Sequence, residues 1–217
     1  MKLLTGPKYL PDSGKISSAV IFLHGLGSNG DDLISLAPIM TKGLPETVFL
    51  SPNAPHKMPF SAGGYQWFEY WDRTPLQMWD GIKNAAPYIV DFVYDVSDRY
   101  KLPLDKIVLC GFSQGTMMSL YTGLRMIEGL GGVIGFAGAL LSPETLMMEK
   151  VSHLPPVLLV HGLQDTIVPA IASMQAEMVL KALNVDVKYV QRPNLAHSID
   201  DKGIQESVAF CQKVFNN

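Results

Sequence analysis

LCGFSQGTMMSLYTGL (residues 109–124) runs from an apolar, strand-like stretch into glycine and then into a helix-like stretch, with a serine at the joint. Ser113 has a glycine two residues away on either side, Gly111 and Gly115. The pattern G-x-S-x-G marks a sharp strand-to-helix turn that lifts a serine hydroxyl above a sheet. Such a turn needs glycine at its flanks, because neighbouring chain comes too close for a side chain, and it holds the serine in a strained conformation. The same five residues also fit an ordinary turn in which Ser113 caps the following helix. The rest of the chain has to decide between the two.

Outward from this stretch, short β-branched runs alternate with longer stretches of helical period. Strands are predicted at 18–23, 47–52, 106–110, 131–140, 156–160 and 185–190. Helices are predicted at 30–40, entered through Asn29, Gly30 or Asp31, and at 114–128, 170–184 and 203–215. Residues 75–100 read as a long helix with Thr74 as cap and Pro75 in the first turn. Pro87 lies inside it, which predicts a kink or two shorter helices. Residues 3–10 are an edge-strand candidate weakened by Pro7. Residues 52–75 break the alternation: six prolines and glycines are interleaved with Phe60, Tyr65, Trp67, Phe68, Tyr70 and Trp71. A loop this long inside a domain is usually functional or disordered, and the aromatics argue against disorder. The alternation implies right-handed crossovers and a mostly parallel sheet covered on both faces, hence an α/β fold in one domain over residues 1–217.

Composition excludes several classes. Of 217 residues 47% are hydrophobic and 17% charged, enough apolar material for a sizeable core. A net charge of -3 offers no attraction to nucleic acid. The N-terminus is too polar and too broken by Gly and Pro for a signal peptide. The longest weakly polar run, GLGGVIGFAGALL (129–141), is short of the roughly 20 residues a bilayer requires. The expectation is a soluble cytoplasmic protein without stable membrane insertion. Cys110 and Cys211 are too few for a disulfide framework and lack zinc-site spacing.

A serine hydroxyl needs a base, and the base needs an orienting acid. With this turn the order along the chain is serine, acid, histidine. Asp165 follows a predicted strand in PVLLVHGLQDTIVP (156–169). Only His197 remains after it, in RPNLAHSID (192–200), with Asp200 and Asp201 as rival acids nearby. Asp165 as a simple turn or cap residue, and His197 as a plain loop histidine, stay open. His24 and His161 end buried strands and read as structural, whereas His56 and His153 carry no signal. Ser113, Asp165 and His197 all fall at the carboxyl edge of a parallel sheet, where such folds place their sites. Backbone N–H donors for an oxyanion are expected from Gln114 and from the loop FLHGLGSNGDD (22–32), where Leu26 lies between two glycines. A plain glycine-rich turn is the alternative there.

HGLG, GFSQG, HGLQDTIVP and NLAHSID, in this order, resemble the phospholipase/carboxylesterase family of α/β-hydrolases, which includes acyl-protein thioesterases and small bacterial carboxylesterases. The resemblance runs from about Ala19 to Phe210. It implies Ser113 as nucleophile, Asp165 as acid, His197 as base, and the N–H groups of Leu26 and Gln114 as oxyanion donors. It implies no metal and no cofactor. This chain has Thr116 where many members have a second glycine, and Trp67-Phe68-Glu69 where many have Trp-Phe-Asp. The wording of these motifs is nearer the bacterial carboxylesterases. The expected substrate is a small ester or acylated molecule with a short to medium acyl chain, acted on by a monomer or homodimer. Trp67, Phe68 and Met147, with Trp71 and Met148, are candidates to wall an acyl channel, although they fit ordinary packing equally well.

Overall fold

Each apolar run in the sequence becomes a strand whose alternate residues feed two different cores. The computed structural model describes residues 3–59, 61–70, 72, 74–149, 151 and 153–216. The strands are β1 (Lys8–Tyr9), β2 (Ser18–Leu23), β3 (Thr47–Leu50), β4 (His56–Lys57), β5 (Tyr65–Gln66), β6 (Ile107–Phe112), β7 (Gly132–Phe136), β8 (Val157–Gly162) and β9 (Val187–Arg192). Seven of them form one sheet in the order β1-β3-β2-β6-β7-β8-β9, while β4 and β5 pair as a separate ribbon. β1 is antiparallel to β3, and every other neighbour in the large sheet is parallel. The helices are α1 (Gly30–Ile34), α2 (Ala37–Met40), α3 (Pro75–Tyr100), α4 (Gln114–Gly123), α5 (Pro143–Met148), α6 (Ile171–Ala182) and α7 (Asp201–Phe215).

The two-residue period of the strands sorts the helices. Ile21, Leu23, Ile107 and Leu109 pack with Ile82, Ile89 and Val93 of α3 and Met118 of α4. Val20, Phe22, Val108 and Cys110 point the other way, onto Leu33, Met40, Ile204 and Val214 of α1, α2 and α7. Farther along the first face, Val157 and Leu159 meet Leu120 of α4 and Leu180 of α6. This is the α/β-hydrolase arrangement. Among the described residues no helix is long and apolar enough to cross a membrane.

Departures from expectation have local causes. The segment 30–40 is two short helices, because Pro38 cannot donate to a carbonyl one turn back and instead sits in the first turn of α2. β7 stops at Phe136, since Ala137 takes φ 47° and leaves the sheet. α4 ends at Gly123, five residues early. Residues 8–9 do form an edge strand, just past Pro7. Of the kink or two shorter helices expected at Pro87, two helices do not form: α3 is continuous from Pro75 to Tyr100. Its N-terminus is as expected, with Thr74 Oγ1 accepting from the Gln77 N–H at 3.3 Å. The carbonyl that Pro87 leaves without a partner belongs to Lys83, which is exposed and can be hydrated. A deep apolar face, including Ile82, Ile89 and Val96, holds the helix together across the gap.

Proline inside a helix costs about 3 kcal/mol relative to alanine, and its stiffening of the unfolded chain returns about 1 kcal/mol. Pro87→Ala is therefore expected to stabilise the protein by about 2 kcal/mol. The check is a higher urea midpoint at unchanged m-value.

Candidate active site

The turn after β6 is strained. Ser113 has φ 53° and ψ -114°, a conformation that L-residues rarely adopt. Its N–H donates to the Phe136 carbonyl at 2.9 Å. Its hydroxyl makes no capping bond to α4, so the ordinary-cap reading of Ser113 does not describe this turn. The flanking glycines are required by close approach. A Cβ on Gly115 would lie 1.7 Å from the Leu23 carbonyl oxygen, and one on Gly111 2.2 Å from the Gly115 carbonyl oxygen. Thr116 fills the space beneath: its Oγ1 lies 2.8 Å from the Gly111 oxygen and 2.7 Å from the Phe136 oxygen, bracing the ends of β6 and β7.

Asp165 follows β8 and is 7% exposed. Its Oδ1 accepts the N–H groups of Ile167 and Val168, both at 2.9 Å. Its Oδ2 accepts His197 Nδ1–H at 2.7 Å. The imidazole is thus held as the Nδ1–H tautomer, with Nε2 left over. Burial pushes the Asp165 carboxyl pKa up, but the His197 bond, the two backbone N–H groups and the His197 charge outweigh it and hold it below its ordinary 3.8. A second histidine shares the same oxygen. His161 Nε2 lies 3.1 Å from Asp165 Oδ2 and 2.9 Å from the Val168 carbonyl, so it must carry the proton, while its Nδ1 faces Ser173 Oγ at 2.7 Å. Its place at a strand end fitted the structural expectation; only the four-residue spacing to Asp165 hinted at this contact.

The rival acid Asp200 is engaged elsewhere. Its Oδ1 caps α7 through the Gly203 N–H at 2.8 Å, and its Oδ2 accepts Arg192 Nε–H at 2.8 Å. This pair pins both ends of the loop that carries His197. Asp201 sits exposed in the first turn of α7.

The two halves meet in a cleft of about 240 Å³ bordered by Ser113, Gln114, His197 and Leu26, with apolar walls from Tyr70, Met117, Ile167 and Val168. The His197 ring packs on Phe112, the residue before Ser113, with centroids 4.8 Å apart. Among the described residues no hydrogen bond joins Ser113 Oγ to His197, and such contacts are often long without a bound substrate. Nor do the N–H groups of Leu26 and Gln114 find an acceptor among the described residues. Both residues border the cleft beside Ser113. His24, fully buried just before Leu26, donates from Nδ1 to the Gly25 carbonyl at 2.8 Å and accepts the Ala54 N–H on Nε2 at 3.0 Å. Burial holds its pKa below the ordinary 6.5 against the Gly25 bond and the charge of Asp32. Among the described residues no cluster of His, Cys, Asp or Glu is arranged to hold a metal ion.

The Phospholipase/Carboxylesterase family pattern matches residues 10–215. The chain belongs to this family. It is 31% identical over 224 residues to acyl-protein thioesterase 1 of Gibberella zeae, covering 95% of this chain and 94% of the relative. It is 32% identical over 228 residues to that of Emericella nidulans, covering 96% and 95%. Among solved structures, esterase PE8 superposes with a TM-score of 0.92 at 38% identity, covering 98% of this chain and 99% of the other. Acyl-protein thioesterase 2 of Zea mays shares the fold, with a TM-score of 0.78 at 22% identity over 96% of this chain and 98% of the other. The chain is a hydrolase of the carboxylesterase/thioesterase type.

The candidates for an acyl-channel wall lie outside this cleft. Trp67 and Phe68 are buried and do not line this cleft. An indole N–H in the interior needs an acceptor, and that of Trp67 donates to the His24 carbonyl at 2.9 Å. Phe68 packs on α3 where Gly81 leaves room. Met147 and Met148 of α5 are exposed, outside the cleft, and Trp71 lies outside the described residues. Residues 52–75 are not wholly irregular, since they contain the β4–β5 ribbon.

Two outcomes follow. Gly115→Ala is expected to cost more than about 4 kcal/mol in urea unfolding, because the clash is with backbone that cannot move. Gly14→Ala, with nothing within 4 Å at φ 69°, is expected to cost only about 1–2 kcal/mol. Folded His24 refuses a proton that the unfolded chain accepts. Stability from His24 is therefore complete above the ordinary value of 6.5 and lost as pH falls from there toward its lowered folded pKa. The stability advantage of wild type over His24→Asn, measured by urea unfolding across pH, is expected to shrink below pH 6.5.

Proposed function

We propose that this enzyme hydrolyses carboxylic esters and thioesters of short to medium acyl chains through an acyl-enzyme on Ser113, with His197 as base and Asp165 as its orienting acid. The observation that carries this reading is the 2.7 Å bond from His197 to the buried Asp165 at the cleft that also holds the strained Ser113. His197 Nε2 takes the Ser113 proton as Oγ attacks the carbonyl carbon. The carbonyl oxygen becomes an oxyanion facing the free N–H groups of Leu26 and Gln114. His197 then gives the proton to the leaving oxygen or sulfur as its bond to carbon breaks. Water repeats the attack, releases the acid and regenerates Ser113. Side chains, backbone N–H groups and water suffice for every step.

Cleft size supports the chain length. At about 240 Å³ the cleft lies below the roughly 300–1,000 Å³ of drug-sized ligand sites, which favours a short acyl chain. Among the described residues that line it there is no lysine or arginine to recognise a phosphate head group. Another cavity of about 290 Å³ also borders His197 and is lined by Asp32, Ser35 and Ser198 among others. It suits a polar leaving group, delivered beside the imidazole that protonates it. The names of the fungal relatives favour a second reading, an acyl-protein thioesterase.

Ser113→Ala is expected to abolish both p-nitrophenyl butyrate turnover and labelling by a fluorophosphonate. Asp165→Asn is expected to lower kcat about a thousandfold or more. In a p-nitrophenyl ester series kcat/KM is expected to peak near butyrate to hexanoate and to drop more than tenfold by palmitate, about 1.4 kcal/mol or more. Labelling that survives Ser113→Ala would overturn the nucleophile. A preference for an S-palmitoyl peptide over the butyrate ester would replace the short-chain reading with the thioesterase one.

A further inference from the structure

Trp67 stands at a junction that the reaction scheme leaves unused. It is fully buried, as is His24, and Gln114 is 2% exposed. The indole N–H donates to the His24 carbonyl at 2.9 Å, and the Trp67 backbone N–H donates to Gln114 Oε1 at 3.0 Å. Gln114 Nε2 donates in turn to the Phe68 carbonyl at 2.8 Å. One residue thus bonds to the residue just before the Gly25–Leu26 loop and to the residue after Ser113. These come from the ends of two different strands, β2 and β6.

The bonds on the β2 side act on a peptide plane. His24 Nδ1–H holds the Gly25 carbonyl, and in a trans peptide that carbonyl and the next N–H point in opposite directions. Fixing the Gly25 oxygen therefore fixes the direction of the Leu26 N–H. The His24 ring is itself held by the Ala54 N–H and by the face of Trp67, with centroids 5.4 Å apart. Tyr65 adds a backbone pair, accepting from Gly27 and donating to Ser28 at 2.9 and 2.8 Å. On the β6 side the Gln114 side chain is locked at both ends of its amide, which holds the first residue of α4 against residues 67 and 68.

We propose that Trp67 is a positioning residue that sets the spacing and direction of two oxyanion donors, the N–H groups of Leu26 and Gln114. This rests on the reading of those groups as oxyanion donors. In it the segment 65–68 is a splint across the two halves of the hole. A splint acts on the transition state more than on the bound substrate, since the carbonyl oxygen carries its full charge only there.

The test compares kcat, KM and the Ki of an alkyl trifluoromethyl ketone in wild type, Trp67→Phe and Gln114→Met, with Tm recorded for each. The ketone carbon bonds to Ser113 Oγ, and its oxygen becomes an oxyanion in the same hole. Trp67→Phe keeps the ring and deletes the bond to His24. Gln114→Met keeps the side-chain length and the backbone N–H but deletes both amide bonds. In each variant kcat is expected to fall about tenfold, with KM within about twofold and Ki raised by the same factor as kcat falls. The double variant is expected to lose less than the product of the single losses, because both substitutions loosen one splint. A lowered Tm with kcat and Ki as in wild type would overturn the proposal and leave Trp67 a packing residue. So would a fall in kcat that Ki does not follow. Absence of Ser113-dependent turnover in wild type would instead remove the underlying reading, and this inference with it.

Discussion

The structure depends on one close approach, that of the Gly115 backbone to the Leu23 carbonyl. No side chain fits between them, since a Cβ at position 115 would lie 1.7 Å from that oxygen. This contact lets α4 begin directly against the end of β2, and the joint between β6 and α4 is the strained Ser113, at φ 53° and ψ -114°. It also brings the loop after β2 and the first turn of α4 to one point, so that Leu26 and Gln114 border the same cleft. The strain at Ser113 persists because its surroundings over-determine it: a bond to Phe136 from its N–H, and Thr116 bracing both strand ends from below.

Around this point the polar groups are arranged to keep charges where they are useful. Asp165 is removed from solvent, yet its carboxylate accepts two backbone N–H groups and two histidines, so burial does not neutralise it. His24 shows the opposite outcome: burial plus an acceptor role toward Ala54 keeps its imidazole neutral. The loop bearing His197 hangs between Arg192 and Asp200, whose ion pair closes its ends while the imidazole remains partly exposed.

Much of this was legible in the sequence, for reasons that are local. Strand and helix period follows from which face each residue must bury, so the six parallel strands stood out as apolar runs. G-x-S-x-G is readable because close backbone contact leaves glycine alone at two positions. Thr74 and Pro75 were readable as a helix start because capping uses neighbouring atoms only. At Pro87 an isolated proline rule left a kink or two helices open, and packing decided against two: α3 stays whole where Ile82, Ile89 and Val96 are buried along it. The aromatic segment was open to two readings for the same reason. Composition shows that Trp67 and Phe68 are apolar, but only packing decides between a cleft wall and the interior beneath it.

What the chain determined by itself was the alternation of strands and helices, the elbow at Ser113, and the order of serine, acid and histidine. These are written in patterns a few residues long, where steric and capping rules act between neighbours. What the tertiary structure decided was which groups share a bond: His161 with Asp165, Asp200 with Arg192, and Trp67 with His24 and Gln114. Their partners are separated by 4, 8, 43 and 47 positions, and the longer of these contacts join the ends of different strands. Hydrogen bonds are directional and short-ranged, so such pairings exist only after the sheet has set the distances between its strand ends.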